Sequence, residues 1–245
     1  MRQMLESHVE SFMKTYCSVN NQPYLWRSPR IRFAEGSRLS VLQKIVVPEH
    51  HLPTDFLPEA NVVVSCFLPF KETIGQSNVQ GRLASETWAM AYLVTNAMMG
   101  ELNESLVGLL RALGYRTALP QDTGIIPKVL KSRWSQRHIA YLAGHGTFGV
   151  NNMLITDQGS CGRFFSLVAE LPIKPDTPLQ EERCLFKAKG ACGVCIERCV
   201  TGALQADRFD REVCFRLCME NDARYSGADV CGKCVVGVPC SFTCP

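Results

Sequence analysis

The spacing of apolar residues predicts helices and strands over the first half of the chain. Residues 1–17 carry apolar side chains at helical intervals, which predicts an opening helix. The runs 41–47 and 62–68 are rich in β-branched residues and are followed by prolines, which predicts two strands. Residues 85–113 follow a helical pattern, with Gly100 as a candidate break and Gly114 as a candidate cap.

The pattern that follows predicts shorter elements and a boundary. A strand is predicted at 115–119, and a helix at 135–143 leads into the glycine-rich run AGHGTFGVNN. Two further strands are predicted at 153–156 and 164–173, joined by the turn DQGSCG. The proline-rich, acidic stretch 173–182 is typical of a linker. We therefore predict an α+β domain over residues 1–175 and a second domain over residues 176–245.

Composition narrows the class of protein. The 245 residues are 46% hydrophobic and 20% charged, and the formal net charge of +3 gives no reason to expect a nucleic-acid binder. No apolar run is long enough for a membrane span, and the first residues lack the apolar core of a secretory signal. We therefore expect a cytoplasmic protein without a membrane partner.

Cysteine is the unusual residue of this chain. Ten of its 13 cysteines lie between Cys184 and Cys244. Without an export signal, such a density indicates metal binding rather than disulfides. The run C-x7-C-x2-C-x3-C-x2-G-A is similar to the ligand pattern of two-cluster bacterial ferredoxins, with Val200 in place of the usual proline after the fourth cysteine.

The cysteine spacing predicts two 4Fe–4S clusters. In two-cluster ferredoxins the last cysteine of the run binds the more distant cluster, and here a later CxxC pair completes that site. The first predicted cluster takes Cys184, Cys192, Cys195 and Cys240. The second takes Cys199, Cys214, Cys231 and Cys234, which leaves Cys218 and Cys244 as spare thiols. Zinc is the competing interpretation of two CxxC pairs, but zinc sites seldom need ten cysteines in so short a segment.

Other residues carry weaker signals. The glycines of the run AGHGTFGVNN have a G-x-G-x-x-G spacing, but no strand clearly precedes them, so we expect close approach of a bulky cofactor rather than a dinucleotide. A basic cluster predicts either a solvated helix face or contact with an anionic cofactor, and it comprises Lys128, Lys131, Arg133 and Arg137. Asp122 and His138 are candidate proton donors.

From residue 137 onward the chain resembles epoxyqueuosine reductases. The run RHIAYLAGHGTFGVNNMLITDQGSCGRFFSLVAELPI is similar to that family's R-x-x-A-x-x-A-G-L-G-W-I-G-K-N-T-L-L-I stretch, which is followed by G-S and an apolar strand. The cysteine groups then come in the family's order and end in CGKC. Thr147 and Phe148 stand where the family has Trp-Ile, and Val150 stands where it has Lys.

The resemblance implies a nitroreductase-like, cobalamin-binding α+β domain followed by a two-cluster ferredoxin-like module. Electrons would pass from the clusters to the cobalamin and reduce an organic substrate, with flavin as the alternative cofactor. The family's catalytic acid corresponds to Asp122 in the segment QDTGII. The implied cofactor contacts are Gly144, His145, Gly146, Phe148, Gly149, Asn151, Gly159 and Cys161.

The resemblance also sets expectations about partners. The electron donor would be a protein such as a ferredoxin or flavodoxin. The helical-repeat segment of many epoxyqueuosine reductases is not recognisable here, so we expect a small organic substrate rather than tRNA. The alternative function is that of an electron-transfer or corrinoid-handling protein without substrate chemistry of its own. A proton donor that faces an open pocket above the cofactor would distinguish the enzyme from the carrier.

Overall fold

The computed structural model describes residues 1–245 as a mixture of helices and strands. The α-helices are α1 (Arg2–Val19), α2 (Leu42–Ile45), α3 (Glu72–Ser77), α4 (Glu86–Ala112), α5 (Gln136–Leu142), α6 (Leu185–Lys189), α7 (Val194–Glu197) and α8 (Arg211–Tyr225). The strands are β1 (Arg30–Glu35), β2 (Val62–Pro69), β3 (Arg116–Ala118), β4 (Ile125–Ile126), β5 (Lys131–Ser132), β6 (Gly146–Phe148), β7 (Leu154–Thr156) and β8 (Gly162–Glu170). Short 3₁₀ helices cover Gly36–Val41 and Pro53–Asp55.

The central sheet has four strands in the order β1-β2-β8-β3, and every neighbouring pair is antiparallel. In the register of the two central strands, Val64 lies opposite Leu167. All eight residues of β2 are buried. This follows from helices on both faces of the sheet, since α1 and α4 pack on one face and α5 packs on the other. The pairs β4–β5 and β6–β7 form two small separate sheets.

Most of the predicted elements are confirmed. The opening helix, the strand at 62–68 and the helix at 135–143 match α1, β2 and α5. The helix predicted at 85–113 is the single element α4, without a break at Gly100. Gly100 is exposed and has open space where a Cβ would lie, so the helix continues at a cost of about 1 kcal/mol relative to alanine.

The strand predicted at 41–47 is wrong. This segment forms the end of the 3₁₀ helix and then α2, in which Leu42 is buried while Ile45 is 52% exposed. Its β-branched residues favour a strand locally, but Leu39 and Leu42 bury apolar side chains three residues apart, which is a helical spacing. Sequence analysis also missed α8, which begins where the Asp210 side chain accepts a hydrogen bond from the Val213 amide.

The cysteine-rich segment packs against the central sheet and its helices. Val235 and Val236 belong to the same apolar cluster as residues of α1, α4 and β2. The Cys161 amide donates to the Ser241 carbonyl at 3.0 Å. The division at residues 175 and 176 stays a prediction, but the two segments share one hydrophobic core. None of the helices is both long and apolar enough to cross a membrane.

Candidate functional site

Four cysteines line a first, small cavity of about 20 Å³. Cys184 precedes α6, Cys195 lies within α7, and Cys240 comes from the last loop. Cys192 completes the set, and the remaining wall is mostly apolar. The structure therefore brings together the four thiols predicted for the first cluster.

Five cysteines line part of a second, much larger cavity, and they are Cys199, Cys214, Cys218, Cys231 and Cys234. Four of them are the thiols predicted for the second cluster. Cys199 follows Cys195 by only four residues, yet it lines the second cavity and not the first. The Leu204 amide donates to its sulfur at 3.3 Å, an arrangement common for cluster thiolates. The spare thiol Cys218 also lies here, whereas Cys244 is exposed.

The turn that carries Cys231 and Cys234 is held against the start of α4. The side-chain amide of Asn78 donates to the Cys231 carbonyl at 2.8 Å. Gly232 adopts a left-handed φ of +74°, and a Cβ at this position would overlap the Trp88 ring. Asn151 donates to the Cys234 carbonyl at 2.8 Å. These contacts fix both thiols on the cavity wall.

Burial keeps most of these thiols protonated when no metal is bound. It raises the pKa of Cys195 and of Cys240 to about 11, and neighbouring thiols add to the shift. In the second set, a hydrogen bond from Cys218 lowers the pKa of Cys214 to about 7, with help from Arg211 and Arg137. Iron binding would displace the protons, because metal ligands must be thiolates.

The two thiol sets fit the ligand number of 4Fe–4S clusters. Each set offers at least four thiols on one cavity wall, and such a cluster takes four thiolate ligands. Both sets lie in largely apolar surroundings, and in the second set the Leu204 amide donates to Cys199. The assignment of individual ligands stays a prediction.

The larger cavity has a volume of about 550 Å³. Residues of α4, α5 and β8 form its wall together with the segment 199–235. This volume lies within the ~300–1,000 Å³ of ordinary small-molecule sites, so the cavity can enclose a cofactor or a substrate. A pocket that could bind such a group therefore lies beside the second set of thiols.

The polar wall of this cavity was largely missed by sequence analysis. The Tyr92 hydroxyl donates to the Asp229 carboxylate, and burial raises the pKa of Tyr92. The Arg163 guanidinium lies 4.4 Å from the centre of the Tyr92 ring and donates to Asn96 Oδ1 at 2.8 Å. A signal was available, since Arg163 is a charged residue directly before the apolar pair Phe164 and Phe165 of its strand.

Arg137 is the member of the predicted basic cluster that reaches the cavity wall. Its guanidinium donates to the Asn152 carbonyl at 2.8 Å, and burial lowers its pKa. It therefore does not lie on a solvated helix face. The other three members do not line the cavity.

Asp122 does not line the cavity. Its side chain is 70% exposed, and its carboxylate lies 3.5 Å from the Arg133 guanidinium and 3.9 Å from the His51 ring. Its neighbour Thr123 does line the cavity. His138, the other candidate donor, is absent from the wall, and burial lowers its pKa to about 4. In this conformation neither predicted donor reaches the space above a cofactor.

The structure also explains the glycine-rich loop by contacts within the chain. A Cβ at Gly146 would overlap the Ile155 carbonyl of the paired strand, and one at Gly144 would overlap the Thr177 carbonyl. His145 is buried, its Nε2 lies 3.1 Å from the Ser65 carbonyl, and burial lowers its pKa to about 4.

Few of the predicted cofactor contacts reach the large cavity. Asn151 lines both cavities, and Gly149 lines the first. The structure does not bring the others to the large cavity, and they are Gly144, His145, Gly146, Phe148, Gly159 and Cys161. A Cβ at Gly159 would overlap the Ser241 carbonyl, and Cys161 donates to the Val235 carbonyl at 3.0 Å. Close packing within the chain, rather than a cofactor, accounts for these small residues.

Comparison of the sequence with known proteins identifies a relative. The chain is 26% identical over 171 residues to the epoxyqueuosine reductase of Bacillus cereus, a match that covers 66% of this chain and 41% of that protein. The chain thus spans less than half the length of the curated relative that it matches. No protein-family model matches.

Solved structures share the fold. An epoxyqueuosine reductase with an epoxyqueuosine-modified tRNA-Tyr stem loop is 18% identical with a TM-score of 0.56, covering 98% of this chain and 66% of that chain. The Bacillus subtilis epoxyqueuosine reductase, with its catalytic aspartate loop swung out of the active site, is 17% identical with a TM-score of 0.54. That match covers 95% of this chain and 64% of the other. A reductive dehalogenase linked to B12-dependent dehalogenation has a TM-score of 0.54 at 13% identity. That match covers 83% of this chain and 28% of the other.

These similarities correct the expectation about partners. We expected a small organic substrate rather than tRNA, and that expectation is wrong. A structure that shares this fold over nearly the whole chain is bound to a tRNA stem loop.

Proposed function

Since the chain resembles epoxyqueuosine reductases in sequence and fold, we propose that it is an iron–sulfur reductase that works with cobalamin. One observation carries the proposal. Two groups of cysteines line two separate cavities, and the second cavity is large enough to enclose a cofactor beside its thiols. In this proposal residues 176–245 form a ferredoxin-like module, and residues 1–175 form a nitroreductase-like cofactor domain.

The thiols would hold two clusters. Cys184, Cys192, Cys195 and Cys240 would bind the first, and Cys199, Cys214, Cys231 and Cys234 would bind the second. When bound, the clusters and the cobalamin supply electrons for reduction of the substrate. The chain's own contribution is to keep these groups apart from bulk water, since apolar residues dominate both cavity walls.

Cobalamin is the cofactor that we propose for the large cavity. The cavity lies beside the second set of thiols, and a protein of this fold is linked to B12-dependent chemistry. Arg163 and the Tyr92–Asp229 pair are the fixed polar groups that would orient the occupant. Arg137 lines the same cavity as Cys214 and Cys234, so its charge would lie near both the occupant and the second cluster.

Asp122 remains our candidate for the proton donor, and it would have to enter the cavity with its loop. Its backbone has a φ of +48°, and its contacts with Arg133 and His51 are solvent-exposed. The Bacillus subtilis structure, with its aspartate loop swung out, supports such a movement. Under this proposal Asp122→Asn loses turnover while it retains iron and cofactor.

An RNA stem loop is the substrate class that we propose. A groove beside the large cavity shares Phe209 with it and is bordered by Lys128, Arg208, Arg211 and Arg216. Such cations bind phosphates in a salt-dependent way. Arg208→Gln together with Lys128→Gln should weaken binding of a tRNA stem loop, measured by fluorescence anisotropy at several salt concentrations. Unchanged affinity would remove this groove from the proposal.

The decisive experiment measures metal and cofactor directly. Anaerobically prepared protein should contain about eight iron atoms and about eight sulfides per chain, the sum for two 4Fe–4S clusters. Titration with cobalamin under reducing conditions should change the visible spectrum and release or absorb heat. Zinc with negligible sulfide would refute the clusters. Full iron content without any response to cobalamin would refute the reductase and leave an electron carrier.

A further inference from the structure

Lys233 is a buried cation without an acidic partner. It lies in the turn CGKC between Cys231 and Cys234, and only 1% of its surface is exposed. Its ammonium donates to the Asn78 carbonyl at 2.9 Å and to the Gln80 carbonyl at 2.7 Å. No carboxylate lies within 4.0 Å, since Lys233 takes part in none of the chain's ion pairs. A buried charge is costly unless an opposite charge compensates it.

A second cation lies against the same backbone. The Arg198 guanidinium donates to the Val79 carbonyl at 2.8 Å, and its Nε is buried without a partner. Arg198 directly precedes Cys199 in the chain. The carbonyls of residues 78–80 therefore hold two cations, each next in sequence to a thiol of the second set. Carbonyl dipoles satisfy hydrogen bonds but bring no net negative charge.

The surrounding structure fixes the position of Lys233. Asn78 receives a hydrogen bond from the Ser85 amide at 2.9 Å and gives one to the Cys231 carbonyl at 2.8 Å. Gly232 packs on Trp88, so the turn cannot move away from α4 without losing both contacts. The ammonium is therefore held in place beside the cavity that Cys231 and Cys234 line.

From this geometry we infer that Lys233, with Arg198, supplies the positive charge that balances the second iron–sulfur cluster and raises its reduction potential. The inference rests on the proposed function, because it needs a cluster at Cys199, Cys214, Cys231 and Cys234. Four thiolates make such a site anionic overall, and reduction adds one more negative charge. A fixed cation in a low-dielectric setting stabilises the reduced form more than the oxidised form.

The first thiol set has no equivalent buried cation without an acidic partner. Its nearby lysine, Lys187, donates to the Phe148 carbonyl at 2.7 Å but is exposed and pairs with Glu182 at 3.1 Å. Its charge is therefore balanced and screened by solvent. Lys233 thus acts on the cluster that adjoins the large cavity, and a higher potential there draws electrons toward the substrate side.

The test compares Lys233→Gln, Lys233→Arg and the control Lys187→Gln in the full-length, anaerobically prepared chain. Iron and sulfide are measured first, and the midpoint potential of each cluster is then measured by a redox titration followed by electron paramagnetic resonance. Glutamine keeps a donor for the carbonyls but removes the charge, whereas arginine keeps the charge. We expect Lys233→Gln to move one of the two potentials to a more negative value. Lys233→Arg should stay near the wild type, and Lys187→Gln should shift neither potential.

Each outcome decides the question. Full iron content with both potentials unchanged in Lys233→Gln would overturn the inference. Loss of four irons in Lys233→Gln but not in Lys233→Arg would support it, since the charge is then required for the cluster to assemble. Equal loss in both variants would show a packing role and overturn it. Wild-type protein without iron would instead refute the proposed function, before any potential is measured.

Discussion

His145 shows how burial decides the chemistry of a single side chain. Its position in a glycine-rich loop made it a candidate cofactor contact, but the ring is enclosed between Phe164 and the Ser65 carbonyl. Burial lowers its pKa to about 4, with Arg32 and Arg2 adding to the effect and Asp176 opposing it. The residue is therefore neutral in the folded protein, and it serves the packing of the sheet.

A pH dependence of stability follows from that lowered pKa. In the unfolded chain the histidine takes up a proton near its ordinary pKa of 6.5, whereas the folded chain takes it up only near 4. Stability is therefore fully present above pH 6.5 and is lost as the pH falls toward 4, by up to about 3 kcal/mol from this group. His145→Gln should be less sensitive between pH 7 and pH 4.5 than the wild type, measured by urea unfolding. Equal pH sensitivity in the two proteins would contradict the assignment.

Cys199 gives a prediction about which thiols bind the same cluster. It lines the same cavity as Cys214, so Cys199→Ser should lower the iron content from about eight to about four. Adding Cys214→Ser should cost no further iron, whereas adding Cys195→Ser should remove nearly all of it. Cys244→Ser, at an exposed thiol, is the control and should keep full iron content. Additive loss from Cys199→Ser and Cys214→Ser would mean that these thiols serve different clusters.

The contact between the CGKC turn and α4 holds the two thiols of that turn in place. Gly232 and Gly190 both have left-handed backbones, with φ of +74° and +65°. Only Gly232 faces a neighbour, because a Cβ there would overlap the Trp88 ring, while Gly190 has open space.

The two glycines therefore form a matched pair for substitution. Gly190→Ala should cost roughly 1–2 kcal/mol for the left-handed backbone alone. Gly232→Ala should cost a further ~1–3 kcal/mol from overpacking and should also reduce iron in the second cluster. Urea unfolding and iron analysis of both variants check this. Equal losses of stability would show that the turn can move away from Trp88.

At the level of the whole molecule, the cysteine-rich segment and the sheet depend on each other. Val235 and Val236 fill the core formed by α1, α4 and the sheet, and the Arg27 guanidinium donates to the Phe242 carbonyl at 3.0 Å. A fragment of residues 1–175 would expose this apolar surface. We expect it to lack a cooperative thermal transition, measured by circular dichroism against the full chain. A sharp transition in the fragment would show that the predicted first domain folds by itself.

Local sequence was sufficient for the long, periodic elements and for the grouping of the thiols. The helices α1 and α4 and the strand β2 were predictable because burial on one or both faces imposes a period that can be counted along the chain. The thiols that line each cavity could be grouped from sequence because CxxC spacing places two thiols on one turn, while the assignment of ligands to clusters stays a prediction. The segment at 41–47 failed since its β-branched residues favour a strand, whereas the pattern of burial imposes a helix.

Only the tertiary structure decided the chemistry of the cavities. Tyr92 and Asp229 meet across 137 residues of sequence, and Lys233 meets Asn78 across 155. Asp122 lies in a segment that resembles the one with the family's catalytic acid, but its side chain is 70% exposed. Spacing along the chain encodes contacts between near neighbours, whereas burial, charge balance and access to a cavity depend on segments that only folding brings together.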